Sequence, residues 1–237
     1  LIFQIDYPIR KRFPDGRVPV EKFKIQFARM GEPSLNPNLL DLLERLPEIY
    51  NAPGLIISLS TIAPIRRNEF FGRLHEIKEK YYRGRFQFQF SIHTTDLESR
   101  NWLIPVRTWD FAQMARYGEM FRGEGDRKIT LNFALADELP IDPDILLEHF
   151  SPENFLIKLT PVNPTARAAE NLINTSTDNN LESEIIRRFR SAGYETILSI
   201  GEKRENLIGS NCGQYINRLE SEAKSVPEAY ISKPETV

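Results

Sequence analysis

The stretch LIISLSTIAPIRRNEFFGRLHEIKEKYYRGRFQFQFSIH, residues 55–93, decides the fold of this chain. Residues 55–60 form a short apolar run with the length of a buried strand. Residues 68–82 have the apolar spacing of an amphipathic helix, and residues 86–92 form a second strand rich in aromatic side chains. A strand, a helix and a strand in succession predict a parallel β-α-β unit with a right-handed crossover.

The same alternation of strand-like and helix-like segments continues along the chain. Gly193 follows the last predicted helix, and Pro143 lies at the first position of an earlier one, where its missing N–H is tolerated. The predicted N-caps of two other helices are Asn36 or Asn38, and Thr108. The resulting six strands suit a (β/α) barrel or an open doubly wound sheet. Further strands are predicted at residues 22–30, 128–135, 155–159 and 195–200, and further helices at residues 38–50, 108–121, 142–150 and 181–192.

Composition and charge exclude several classes of protein. The chain has 237 residues and a formal net charge of −2 at pH 7, so no global positive field favours nucleic acid. It contains no apolar run of about 18 residues that would span a membrane. Residues 1–7 lack the plan of a signal peptide and an initiator methionine, and we expect the chain to begin within a longer protein. A single cysteine is typical of a reducing compartment, which predicts a cytoplasmic protein.

That cysteine, Cys212, follows the last predicted strand in the string GSNCGQ, residues 209–214. One thiol can form neither a disulfide within the chain nor a cluster held by several thiolates. A lone cysteine is most often a small buried hydrophobic residue. The small polar neighbours and the position after a strand favour a reactive loop instead, and the sequence leaves both interpretations open.

Polar groups follow most of the predicted strands at their carboxyl ends, where parallel α/β folds carry their sites. Taken singly these groups are turn or cap residues, and His93 alone is more often a core histidine. As an ordered set they predict a polar small-molecule ligand at one rim. His75 and His149 lie in predicted helices without partners at ligand spacing, so we expect no metal site there.

The polar groups at the strand ends form an ordered set of motifs that resembles a known family. Their order and spacing are similar to those of the radical S-adenosylmethionine (SAM) enzymes that methylate adenine carbon-2 in large-subunit ribosomal RNA and some transfer RNA. The resemblance covers residues 27–216 and extends to Arg100, which follows the third motif. The motifs are Met30-Gly31-Glu32-Pro33, Leu59-Ser60-Thr61, Ser91-Ile92-His93, Pro161-Val162-Asn163-Pro164 and Cys212-Gly213-Gln214.

The resemblance implies a fold and a cofactor site. The fold class is α/β, with a partial (β/α)6-type TIM-like barrel of the radical SAM type over residues 1–216 and a C-terminal helix and loose tail over residues 217–237. Gly31 and Glu32 would hold the amino group of the methionine moiety of SAM. The matched residues that would line the rest of the SAM site are Ser60, Ser91, Ile92, His93 and Asn163.

The resemblance also implies a catalytic role for Cys212, which is similar to the cysteine that this family methylates on sulfur. A 5′-deoxyadenosyl radical then removes a hydrogen atom from that methyl group, and the methylene radical adds to the adenine ring. Adenine carbon-2 is not nucleophilic, so the reaction needs a radical route that the cofactor carries. The implied cofactors are SAM and, if an upstream cysteine motif exists, a [4Fe–4S] cluster. The implied partners are RNA and an electron donor such as flavodoxin or ferredoxin.

The chain departs from the family at the cluster motif, C-x-x-x-C-x-x-C, which should precede Gly31. No cysteine lies there, and the family's second cysteine is absent as well. One interpretation is that the first strand and the cluster loop are missing from this chain, so that residues 1–13 form the helix after that loop. Another is a noncatalytic SAM-binding barrel module that has lost its cluster. A third is a lyase- or aldolase-type barrel that uses Glu32 and His93 as acid and base.

A basic concentration between residues 66 and 85 is the candidate for RNA contacts. Glutamates are interleaved with these cations, so the segment is either a phosphate-binding surface or the solvated face of a helix. The basic residues are Arg66, Arg67, Arg73, Lys78, Lys80, Arg83 and Arg85.

Overall fold

The computed structural model describes residues 1–28, 31–136, 139–161 and 179–199. Six parallel strands form one sheet in which they lie side by side in chain order. The strands are Phe23–Phe27 (β1), Leu55–Thr61 (β2), Phe86–Ser91 (β3), Ile129–Leu135 (β4), Phe155–Pro161 (β5) and Thr196–Leu198 (β6). The helices are Ile2–Arg12 (α1), Leu39–Ile49 (α2), Asn68–Tyr81 (α3), Leu97–Leu103 (α4), Phe111–Phe121 (α5), Pro143–Leu147 (α6) and Asn179–Ser191 (α7), with a 3-10 turn at Pro33–Leu35.

Pairing in chain order confirms the predicted β-α-β units and decides between the two predicted architectures. A doubly wound sheet reverses its strand order partway, whereas here each strand pairs with the next one along the chain. Within the described residues the sheet is not closed, because β1 and β6 are its two edges. The architecture is therefore a partial barrel, with helices α2 to α7 in the connections between strands.

The two faces of the sheet differ in chemistry. One face carries apolar side chains such as Leu59, Phe88 and Leu131, which are buried in a continuous core beneath the helices. The alternate residues on the neighbouring strands form a polar face, because a strand turns successive side chains to opposite sides. The strand register aligns these polar residues in rows across the sheet. The polar face comprises Lys24, Gln26, Ser58, Ser60, Gln87, Gln89, Ser91, Thr130, Asn132, Lys158 and Thr160.

The helices cover the apolar face of the sheet, so the polar face is the inner face of the partial barrel. Lys24 and Lys158 lie on this polar face, on β1 and β5, with three strands between them. Burial, followed by the charge of Lys158, lowers the pKa of Lys24.

Three helices differ from the sequence prediction: α5 in its start, α4 in its existence and α6 in its end. Helix α5 begins at Phe111 rather than near Thr108, because Asp110 caps it. The Asp110 carboxylate accepts a hydrogen bond from the Gln113 backbone at 2.7 Å, and the Gln113 side chain accepts one from the Asp110 backbone at 3.0 Å. Helix α4 was not predicted, and it begins at an equivalent cap in which Asp96 accepts from the backbone of Ser99. Helix α6 ends at Leu147, three residues before the predicted end at residue 150.

A buried lysine ties α3 to the turn between α5 and β4. The Lys78 side chain is fully buried, and its Nζ donates to Asp126 Oδ2 at 2.6 Å and to Glu79 Oε1. The backbone N–H groups of Gly84 and Gly123 donate to the same aspartate at 2.5 and 2.9 Å. The buried charge is therefore compensated by two carboxylates at the amino edge of the sheet.

None of the helices among the described residues is both long and apolar enough to cross a membrane.

We expect Asp126→Ala to lower the free energy of unfolding by about 3 kcal/mol, because it removes one of the two carboxylates that compensate the buried Lys78 ammonium. Urea denaturation measures this loss. Asp41→Ala is the matched control, because Asp41 forms an exposed ion pair with Arg73, and its loss should stay below about 1 kcal/mol. Equal losses in the two variants would contradict a structural role for the buried pair.

Candidate functional site

The loops that follow the first four strands meet at the carboxyl edge of the sheet. The loop after β2 pairs with the segment after α4, since Ile65 N–H donates to Arg107 O at 3.0 Å and Trp109 N–H donates to Ala63 O at 2.8 Å. The loop after β3 binds the loop after β4, since Thr95 N–H donates to Pro140 O at 3.1 Å. These hydrogen bonds join the loops into one rim at the carboxyl edge of the sheet. This is the edge at which parallel sheets bind ligands.

Glu32 joins the loop after β1 to the end of β2. Its Oε1 accepts hydrogen bonds from Ser34 N at 3.1 Å, Ser34 Oγ at 2.7 Å and Thr61 Oγ1 at 2.5 Å. Its Oε2 accepts one from Ile62 N at 2.9 Å. Oε1 is therefore saturated by the protein, whereas Oε2 has room for one further donor. Gly31 precedes it with a φ of +94°, a conformation that favours glycine.

A cavity of about 270 Å³ lies beside this carboxylate. Its walls come from α1, from β1 and from the loop that carries Gly31 and Glu32. Gln4 and Gln26 supply polar groups to the lining, and Phe27 supplies apolar surface. The cavity has the mixed lining of a small-molecule site, and it borders the predicted position of the amino group.

The predicted residues Ser60 and Ser91 both lie on the polar face near the carboxyl edge, and both side chains are partly exposed. Ile92 differs from them, because its side chain is fully buried in the core. Its backbone N–H donates to Asn132 O at 2.9 Å. Only the backbone of Ile92 therefore borders the polar face.

His93 follows β3 by two residues and has a strained conformation, with a φ of +69°. Its Nδ1 is buried and makes no hydrogen bond within the described part of the chain. Burial, and then the charge of Arg100, lower the pKa of His93 to about 4. The imidazole is therefore neutral near pH 7.

Backbone strain concentrates at this rim. Among the described residues, the non-glycine positions with positive φ are Ala63 (55°), Arg66 (61°) and His93 (69°). All three follow β2 or β3 at their carboxyl ends. Strained conformations of this kind cost about 1–3 kcal/mol each and cluster at binding sites. The strain supports the carboxyl edge as the functional side of the sheet.

Two residues of the rim were not assigned a role by the sequence. Thr61 donates to Glu32 and accepts a hydrogen bond from Ala63 N–H at 2.9 Å, so it holds both the carboxylate and a strained backbone position. Arg100 is almost fully buried beneath the same loops. The alternation of polar residues in β3 and β4, with Gln87, Gln89 and Asn132, was the sequence signal that could have revealed the polar face.

Asn163 and Cys212 lie outside the described residues, so the structure does not place them relative to the site. A [4Fe–4S] cluster needs several thiolates, and the chain has one cysteine. In addition, no three His, Cys, Asp or Glu residues of the described ranges come together as a metal site. The residues present therefore do not fit a cluster.

The basic concentration between residues 66 and 85 is largely engaged within the protein. Arg73 pairs with Asp41 and Glu44 at 2.7 and 2.8 Å, and Lys78 is buried. Arg83 pairs with Glu79, Arg85 donates to the Pro53 and Tyr81 carbonyl oxygens, and Lys80 lies over the Tyr81 ring. Arg66 and Arg67 differ, because both are exposed at the carboxyl edge and neither forms an ion pair with another described residue. The paired surface cations fit the predicted solvated helix face, whereas the buried Lys78 fits neither interpretation.

Comparison with known proteins supports the fold. No family model and no curated protein matches the chain. The chain is similar to the crystal structure of a radical SAM methyltransferase from Sphaerobacter thermophilus, with a TM-score of 0.64 and 18% sequence identity. The similarity covers 90% of this chain and 60% of that one, so the chain spans about three fifths of the solved protein. At this identity the likeness shows the fold alone, and together with the strand order it confirms the predicted α/β partial TIM-like barrel.

We expect Thr61→Val to destabilise the protein by about 1–3 kcal/mol, because it leaves the Ala63 N–H without its acceptor and removes one donor from Glu32. Thr61→Ser is the control, since it retains the hydroxyl group. Chemical denaturation of the two variants measures the difference. A Thr61→Val protein as stable as the wild type would contradict the role assigned to the hydroxyl group.

The neutral state of His93 predicts a pH dependence of stability. The ordinary pKa of 6.5 applies in the unfolded chain, and the folded value is about 4. Between these values the unfolded state binds more protons, so the free energy of unfolding falls as the pH decreases through this window, by up to about 3 kcal/mol. At higher pH the imidazole is neutral in both states and the contribution is constant.

Urea denaturation at about pH 7 and about pH 4.5 tests this linkage. The matched variant is His93→Asn, because asparagine tolerates positive φ and does not titrate in this range. The variant should lose part of the stability difference that the wild type shows between the two pH values. An unchanged difference would assign the acid sensitivity to other groups.

Proposed function

We propose that the chain binds S-adenosylmethionine at the carboxyl edge of the sheet. The observation that carries this proposal is the polar inner face that ends at Ser60, Ser91 and His93, where a buried imidazole nitrogen has no partner among the described residues. A polar nucleoside with hydroxyl, amino and carboxylate groups suits such a rim. The likeness in fold to a radical SAM methyltransferase supports the same ligand.

The chain's own residues would divide the work of binding. Glu32 Oε2 retains room for one donor and would accept a hydrogen bond from the amino group, with Gly31 beside it. His93 Nδ1 has no partner among the described residues, and in the tautomer that carries its proton on Nε2 it would accept a hydrogen bond from a hydroxyl group of the ligand. Ser60 and Ser91 supply hydroxyl groups on the polar face, and Asn163 is assigned to the site by the sequence resemblance alone. Bound SAM would supply an activated methyl group on its sulfonium centre.

The finer proposal is methyl transfer to RNA through Cys212, as in the adenine carbon-2 methyltransferases that the sequence resembles. In this proposal the Cys212 thiolate would take the methyl group from SAM, which leaves as S-adenosylhomocysteine, and the resulting thioether carries the methyl group. The chain's residues do not fit a [4Fe–4S] cluster, so no radical step is assigned to them. Arg66 and Arg67, the exposed cations of the rim, are the candidates for phosphate contacts.

A second candidate function is a noncatalytic SAM-binding module. The observation that favours it is the single cysteine, because a chain that keeps the rim without cluster ligands can bind the ligand without activating it. The two candidates share the site and differ in the role of Cys212.

Equilibrium binding tests the shared part of both candidates. We expect SAM and S-adenosylhomocysteine to bind the full chain, and Ser91→Val to weaken SAM at least about tenfold, since it removes a hydroxyl group from the polar face. Ser151→Val is the control, because Ser151 precedes β5 at the opposite edge of the sheet. Isothermal titration calorimetry gives both dissociation constants. Absence of SAM binding to the wild type would exclude both candidates.

The role of Cys212 separates the two candidates. Incubation with SAM that carries an isotopically labelled methyl group, followed by peptide mass spectrometry, should find the label on Cys212 if the methyltransferase proposal holds. Cys212→Ala should bind SAM as the wild type does and acquire no label. Tight binding without label would favour the noncatalytic module.

A further inference from the structure

Arg100 is a buried cation at the carboxyl edge. It is the one buried residue of α4, and only 3% of its surface is exposed. Arginine is rarely buried to this extent unless a partner compensates its charge. Burial lowers the pKa of Arg100 to about 10, so the guanidinium remains charged near pH 7. The groups around Arg100 therefore show whether the protein itself compensates this charge.

The protein satisfies only one edge of the guanidinium. Nη1 donates to Thr108 Oγ1 at 2.5 Å, and the Phe111 ring lies 5.9 Å from the central carbon. Nε and Nη2 are buried without any hydrogen-bond partner, and no carboxylate in the described part of the chain pairs with Arg100. Leaving such a charge uncompensated costs several kcal/mol.

The two unpartnered nitrogens, Nε and Nη2, form the side of a guanidinium group that can bind an oxyanion through two hydrogen bonds. Nε and Nη2 lie on the same side of the planar guanidinium, and their N–H bonds run parallel. Two parallel N–H groups match the two oxygens of a carboxylate or of a phosphate group. A lysine at this position would offer a single point charge instead. The orphaned edge of Arg100 thus has the geometry of a bidentate receptor.

The surroundings place this receptor in the candidate site. Thr108, which binds Arg100, also bridges to Pro64 in the loop after β2. Arg100 is close enough to His93 for its charge to act on the imidazole, whose Nδ1 is a further unpartnered buried atom of this rim. Two groups at the edge where the polar face ends, Arg100 and His93, therefore have buried polar atoms without partners among the described residues.

We propose that Arg100 is an oxyanion-binding residue whose Nε and Nη2 receive a carboxylate or phosphate group of a ligand, with His93 Nδ1 accepting from a donor on the same ligand. The inference does not rest on the proposed function, because it stands on the orphaned atoms alone. Two sources of the oxyanion are open to test: the carboxylate of an S-adenosyl amino acid and the phosphate of a nucleotide or polynucleotide. Both nitrogens are shielded from solvent, so the rim must open for the anion to enter.

Arg100→Met is the first variant, because methionine replaces the charge with a flexible apolar chain. Thermal unfolding of the full chain should show the variant, without ligand, to be as stable as the wild type or more stable, because an uncompensated charge has been removed. A less stable variant would mean that the chain itself compensates Arg100, and it would overturn the proposal. Arg107→Met is the matched control, because Arg107 is an exposed arginine of the same rim.

Binding measurements identify the source of the oxyanion. If the source is a phosphate, inorganic phosphate should raise the unfolding temperature of the wild type and of Arg107→Met but not of Arg100→Met. If the source is a carboxylate, the wild type should bind SAM at least about tenfold more tightly than decarboxylated SAM, and Arg100→Met should bind the two alike. Arg100→Lys should recover only part of either effect, since it keeps the charge without the paired donors.

Failure of this proposal is distinguishable from failure of the proposed function. If SAM does not bind the wild type, the proposed function is excluded, and the phosphate measurements alone decide the role of Arg100. If SAM binds the wild type and Arg100→Met equally, and phosphate protects neither protein, Arg100 is not an oxyanion receptor although the proposed function stands.

Discussion

The structure depends on the parallel pairing of six strands in chain order. This pairing sends every connection back across the apolar face, where the helices cover it, and leaves the other face to polar side chains. It also brings the carboxyl ends of all the strands to one edge. Residues that are 30 or more positions apart in the chain, such as Glu32 and Ile62, therefore meet there at hydrogen-bond distance. The candidate site is a consequence of this constraint.

The loops at that edge bind one another, so the rim is built by hydrogen bonds rather than by apolar packing alone. Glu32 accepts from residues of two loops, and Thr61 holds both Glu32 and the strained Ala63. The Thr95 backbone joins the loop after β3 to Pro140 in the loop after β4. Strain at several positions of the rim is sustained because these bonds over-determine the backbone. A site preorganised in this way loses less entropy when it binds a ligand.

Two buried cations illustrate the difference between the edges of the sheet. Lys78, at the amino edge, is surrounded by Asp126 and Glu79, and its charge is compensated within the protein. Arg100, at the carboxyl edge, has one hydroxyl partner and no described carboxylate. Burial of either cation costs desolvation free energy. The two cations differ in which groups offset that cost. At the amino edge the protein provides it, and at the carboxyl edge the geometry leaves it to a ligand.

The sequence by itself determined the alternation of strands and helices, because apolar periodicity is local and survives without knowledge of the fold. It also placed the polar residues at strand ends, including Glu32, Ser91 and His93, and the structure brings these residues to one rim. It misplaced the start of α5 and missed α4, because the Asp96 and Asp110 caps compete with other polar residues nearby. Only the tertiary structure decided that the sheet has a polar face and that Glu32 is bonded to the loop after β2. It also decided that Arg100 is buried with no carboxylate partner among the described residues. These features arise from contacts between residues distant in the chain, and local periodicity carries no information about such contacts.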